Sequence, residues 1–143
     1  MAADRSIAVV ATGVANIASV RAALGRIGCE VRMVTEAAEV RSANRLVLPG
    51  VGAFGAAMKR LVELDLVEAL RARILEYRPT LAICLGMQLL AAASDEDAGI
   101  PGLNVFGNKI ERLTAPRVPQ LGWNRVDASP ASRFLQSGHA YFA

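Results

Sequence analysis

A chain of 143 residues, 53% hydrophobic and 5% aromatic, holds enough apolar side chain for one domain with a core and is too short for two. Sixteen basic residues, fourteen of them Arg, stand against thirteen acidic ones and are scattered rather than gathered into a patch, which makes nucleic acid a poor partner. No run reaches the roughly 18 apolar residues of a membrane span, and the two cysteines, Cys29 and Cys84, have neither disulfide-framework nor C-x-x-C spacing, as expected of a reduced, cytoplasmic chain without a metal.

The opening "MAADRSIAVVATGVANIASV" imitates a signal peptide, but Asp4 spoils a positive start and Gly13 and Asn16 interrupt the apolar run. Strand, turn and helix fit better: "SIAVVA" is β-branched, and Ile17, Val20, Leu24 and Ile27 then recur at helical spacing until Gly28. "CEVRMV" at 29–34 reads as a second strand, "EAAEVRSA" as a short helix and "RLVLP" as a third strand. A glycine-dense loop, "PGVGAFG" at 49–55, leads into a long helix over "AAMKRLVELDLVEALRARILEY", with a stripe of Met58, Leu61, Val67, Leu70 and Ile74. Pro79 ends that region, and "TLAIC" is a fourth strand followed by a helical pattern.

Alternating strands and helices with nearly continuous apolar strands predict a parallel sheet covered on both faces, with the loops after its strands along one ligand-binding edge. From about residue 100 the texture changes to short strand-like pieces, "GLNVFGNKIERL", "VPQLGWNRV" and "SGHAYFA", expected to form an antiparallel extension. The chain stops at Ala143 inside an apolar run, an odd place for a domain to end.

Cys84 stands at a strand-to-helix turn. The first amides of a helix lack intrahelical acceptors and favour an anionic sulfur, the reactive form of a thiol. A sharp elbow tolerates only small residues two positions either side, as in G-x-S-x-G, and here these are Ala82 and Gly86. A free cysteine is more often a buried apolar residue, the reading that suits Cys29. Cys84 is set apart by the glycine loop expected on the same sheet edge. Backbone amides of that loop, with the N–H of Leu85, can form an oxyanion hole whose donors are each worth on the order of 3 kcal/mol in a transition state. A phosphate-cradling loop would look similar, but no G-K-[ST] follows.

"LVLPGVGAFGAAM" at 46–58, "ICLGMQLL" at 83–90, "VPQLGWNRV" at 118–126 and "GVANIASV" at 13–20 resemble the class I (triad) glutamine amidotransferases, most closely the glutaminase subunits of imidazole glycerol phosphate synthases. The resemblance implies a flavodoxin-like three-layer fold, a parallel sheet flanked by helices with an antiparallel extension, and one domain over 1–143 whose last strands are missing. It implies that Cys84 attacks the side-chain amide of glutamine, that Val51 and Leu85 hold the oxyanion, and that Gly50, Gly52 and Gln88 contact the substrate, with no cofactor. The ammonia released would pass to a (β/α)8-barrel cyclase subunit, which makes imidazole glycerol phosphate and AICAR in histidine biosynthesis. Asn16, Pro119 and Trp123 match partner-facing positions. Asn16 is equally suited to cap the first helix, and a lone tryptophan is often a core filler.

Several positions depart from the pattern. Ala15 and Ala82 stand where the family has glycine. The family's base, a histidine in an H-P-E motif partnered by that motif's glutamate, has no counterpart in these residues. His139, the only histidine, lacks the following Pro-Glu and is expected at a surface or strand edge. The expectation is therefore a glutaminase domain carrying nucleophile and oxyanion loop, inactive as 1–143 alone. The alternative is a non-catalytic module that docks on the barrel partner.

Overall fold

The computed structural model describes residues 4–13 and 16–142; Ala15 and Ala143 lie outside them. Two compact units are present, 1–111 and 112–143.

In the first unit, β1 (Ser6–Val10), β2 (Glu30–Val34), β3 (Leu46–Gly50) and β4 (Thr80–Cys84) form one parallel sheet in the order β2-β1-β3-β4. This is the flavodoxin-like strand order. The inner strands are the apolar runs: Ile7–Val10 and all of β3 are buried, as required of parallel strands covered on both faces. The outer strands are more open. Leu81 and Ile83 on β4 are exposed, while Ala82, pointing the other way, packs on the main core.

Helices cover both faces. On one, α1 (Ile17–Arg26) lays Ile17, Val20 and Leu24 against Ile7, Val9 and Val47, with Cys29 half-buried beside them. Ile27, expected in that stripe, is exposed because it lies past the end of the helix, which Gly28 closes at φ 75°. On the other face α2 (Ala37–Ser42), α3 (Phe54–Glu63) and α4 (Val67–Leu75) contribute Val40, Phe54, Met58, Leu61, Ala69 and Leu70 to the larger core.

The long helix expected from residue 56 to 77 is two helices. Asp65 adopts φ 53°, and the N–H groups of Asp65 and Leu66 turn back to the carbonyls of Val62 and Leu61, so α3 ends there and Leu66 is fully buried. The stripe carried the signal: the step of six from Leu61 to Val67 falls out of helical phase. Arg73 on α4 is buried without a carboxylate partner and donates to the carbonyls of Val40, Ala43 and Pro79 and to the Thr80 hydroxyl, fastening α2 and the start of β4 to α4.

The helix after Cys84 is a single turn, α5 (Leu85–Gln88). The carbonyls of Leu89, Leu90, Ala91 and Ala92 accept from the N–H groups of Leu103, Val105, Asn104 and Gly102, a second segment that replaces the helical ladder. Gly102 is required there, since a Cβ would lie 2.2 Å from the Ala91 carbonyl oxygen. The two segments continue as β5 (Ala93–Ser94) and β6 (Lys109–Ile110), which pair in parallel, so the antiparallel extension expected from residue 100 does not begin here.

In the second unit, β7 (Gly122–Val126) and β8 (Gly138–Phe142) are antiparallel, as expected, with Trp123 opposite Tyr141 and Arg125 opposite His139. No helix among the described residues is long and apolar enough to cross a membrane.

Candidate active site

Cys84 ends β4 and precedes α5 with φ 54° and ψ −119°, a conformation that side chains with a Cβ rarely adopt. The turn thrusts the thiol outward, and Cys84 is exposed although it adjoins the buried Leu85 and Gly86. This strand-to-helix turn has the geometry of an elbow, and the structure explains its small residues. A Cβ on Gly86 would lie 2.1 Å from the Leu48 carbonyl oxygen, inside the neighbouring strand. Gly50, in register with Cys84, is under the same constraint, because a Cβ there would lie 2.6 Å from the Gly86 nitrogen. Ala82 takes the remaining small position with its methyl on the core.

The glycine loop emerges from β3 beside the elbow. Val51, Gly52 and Ala53 join Gly50 to α3, and Gly52 has φ +91°, which a branched side chain would resist. Val51 is exposed at this edge. Leu85 is the first residue of α5, so its N–H has no acceptor within the helix. Gln88, half-buried, lies one turn beyond the sulfur. Adjacent strands thus bring Cys84, Leu85, Gln88, Gly50, Val51 and Gly52 to one sheet edge, an arrangement suited to a nucleophile beside amide donors.

The model for the family "Glutamine amidotransferase class-I" matches residues 8–139. The chain belongs to this family. An imidazole glycerol phosphate synthase subunit HisH from Symbiobacterium thermophilum is 45% identical over 122 residues, 85% of this chain and 58% of that protein. A subunit of the same name from Haemophilus influenzae is 37% identical over 143 residues, covering 96% of this chain and 70% of the relative. The chain thus spans a little over half to about two-thirds of the length of these relatives. A solved structure titled "Crystal structure of glutamine amidotransferase" superposes with a TM-score of 0.73 at 24% identity, covering 95% of this chain and 69% of that one, which shows a common fold.

Of the remaining expected residues of this amidotransferase chain, Asn16 stands between β1 and α1, and Pro119, Trp123 and His139 stand in the second unit. Asn16 caps α1, its side-chain oxygen accepting from the Ser19 N–H at 3.3 Å. Pro119 and Trp123 belong to the second unit, where Pro119 is exposed. Trp123 is 72% exposed and meets Tyr141 edge-on at 5.8 Å between ring centroids, so it is no core filler. His139 is exposed on β8. Among the described residues no group of three or more His, Cys, Asp or Glu could hold a metal ion.

Two residues at the site escaped the sequence reading. The Phe54 N–H donates to Glu96 Oε2 at 3.1 Å and the Gly55 N–H to Asp97 Oδ2 at 2.6 Å, so carboxylates from beyond the elbow cap the helix that follows the glycine loop. The only local signal was negative: Ala53, before α3, cannot cap it.

Proposed function

We propose that this chain supplies glutamine hydrolysis to an imidazole glycerol phosphate synthase of histidine biosynthesis, its 143 residues forming part of one amidotransferase domain. The observation that carries the reading is the strained, exposed Cys84 at φ 54°, in register with the glycine that opens the amide-rich loop. Cys84 Sγ bonds to the side-chain amide carbon of glutamine, and the carbonyl oxygen becomes an oxyanion held by the N–H groups of Val51 and Leu85. The C–N bond then breaks as nitrogen takes a proton and leaves as ammonia. Water cleaves the thioester to glutamate and frees the thiol. Gly50, Gly52 and Gln88 hold the rest of the glutamine.

The base that takes the thiol proton is a histidine of the family's H-P-E motif, a run that does not occur within residues 1–143. Ammonia passes to a (β/α)8-barrel cyclase that contacts Asn16 of the first unit and Pro119 and Trp123 of the second; the exposed Trp123–Tyr141 pair supports the docking role of Trp123. The setting is the cytoplasm, where two unpaired cysteines stay reduced.

The test uses the full gene product mixed with the cyclase and follows glutamate release from glutamine. Activity lost in Cys84→Ala is the expected result; glutamate release that survives this substitution sinks the assignment. Titration with the cyclase should show weaker binding by Trp123→Ala, and unchanged binding removes Trp123 from the docking surface.

A further inference from the structure

We infer that Asp97 is a positioning residue for the loop that presents the Val51 amide to the reacting carbonyl, an inference that rests on reading Cys84 as nucleophile and Val51 and Leu85 as oxyanion donors. Only three residues, Val51, Gly52 and Ala53, separate the end of β3 from the start of α3. The upstream end is held to the elbow, because Gly50 is in register with Cys84 and packs on the Gly86 nitrogen. The middle is held by little: nothing lies within 4 Å of the place where a Cβ on Gly52 would sit.

At the downstream end α3 has neither a side-chain cap nor an acidic residue in its first turn. Its leading amides are claimed from a distance of 42 residues in sequence, Gly55 by Asp97 at 2.6 Å and Phe54 by Glu96 at 3.1 Å. Asp97 is the tighter clamp. It makes the shorter, charge-assisted bond and is half-buried while Glu96 is exposed, and a Cβ on Gly55 would lie 2.9 Å from its Cγ. Such a Cβ would also lie 2.6 Å from Ile100 Cδ1, so glycine at 55 lets α3 close on Asp97 and Ile100 together.

The chain returns from the elbow through α5 and β5 to Asp97, so the clamp ties both ends of the loop to the segment that carries the nucleophile. With three residues between clamps, movement of the α3 terminus is passed to the Val51 amide, and an oxyanion donor acts only when aimed at the place where charge develops. Losing such a donor outright costs about 10²–10³-fold in kcat; loosening it costs part of that.

The variants are made in the full gene product and assayed with the cyclase, with kcat counted per Cys84 that reacts with iodoacetamide. Displacement of iodide by the thiolate forms no oxyanion, so this labelling reports the sulfur alone. Asp97→Ala is expected to lower kcat about tenfold or more, with KM and the alkylation rate within about twofold of the parent. Asp97→Asn, whose amide oxygen accepts the same N–H, is expected to restore kcat to within about threefold. Should Asp97→Ala not fold, Asp97→Ser, shorter by one heavy atom, takes its place with the same expectation. A kcat within threefold of the parent in the shortened variant overturns the inference, as does an equal fall in alkylation rate or an Asn variant as slow as Ala. A parent that hydrolyses no glutamine overturns the functional reading itself and the inference with it, an outcome visible before any variant is compared.

Discussion

Replacing Cys84 by glycine should stabilise this protein. At most positions Gly is worse than Ala by roughly 0.5–1 kcal/mol, because the unfolded chain gains freedom. Cys84 is different: at φ 54° and ψ −119° its Cβ is held where glycine is at ease, and such strain costs about 1–3 kcal/mol. Cys84→Ala keeps the Cβ and the strain, whereas Cys84→Gly releases it. The thiol is exposed, so either change gives up little buried surface. The released strain outweighs the entropy term by about 1 kcal/mol, a melting temperature roughly 2–4 °C higher for Gly than for Ala in a protein of 150–250 residues. Both variants should release no glutamate, so stability is compared between equally inactive proteins. Calorimetry or thermal circular dichroism on the full gene product decides it, and a Gly variant that melts at or below the Ala variant refutes a strained elbow.

Gly86→Ala should be damaging although alanine favours helices, because its Cβ would enter the Leu48 carbonyl at 2.1 Å; about 1–3 kcal/mol of stability and roughly 10²-fold in kcat are expected to go, and a variant within threefold of parental turnover contradicts this. Arg73→Met fills the space but leaves the Val40, Ala43 and Pro79 carbonyls and the Thr80 hydroxyl without their charged donor; a loss of about 3 kcal/mol in urea unfolding is expected, and a loss below about 1 kcal/mol would mean that the cost of burying the guanidinium, which pushes its pKa down, cancels its bonds. Residues 1–143 by themselves should hydrolyse glutamine at least about 10²-fold more slowly than a form that includes the H-P-E histidine, the usual worth of a general base; a chromatographic glutamate assay showing comparable rates would put the base within these residues.

The four strands of the parallel sheet were legible because each is a local apolar run bounded by turn residues, and their parallel pairing follows from alternation with helices. The break at Asp65 was legible in principle through the phase slip between Leu61 and Val67, but helix formers on both sides masked it. The single turn of α5 was not, because "LGMQLLAAAS" has the composition of a longer helix and is ended by N–H groups of residues 102–105 that donate to its carbonyls, a segment whose approach no local pattern announces. The carboxylate caps of α3 were hidden for the same reason: a capping box is read within four residues, whereas Asp97 and Gly55 stand 42 apart.

At the elbow, what the sequence displayed and what it concealed are two sides of one constraint. Small residues at 82 and 86 marked the turn, but the cause at 86 is the Leu48 carbonyl of the adjacent strand, Ala82 packs on the core, and the same closeness of strand and elbow makes Gly50 a glycine. A backbone as strained as that of Cys84 persists only where its surroundings leave it no alternative. Here these surroundings are the β3–β4 register on one side and, on the other, Leu85 and Leu89 buried in the core, which hold α5 down while the thiol stays in solvent. The packing that makes the core therefore also forces the sulfur out of it, so a substitution that loosens Leu85 or Leu89 should relax the elbow before it unfolds the sheet.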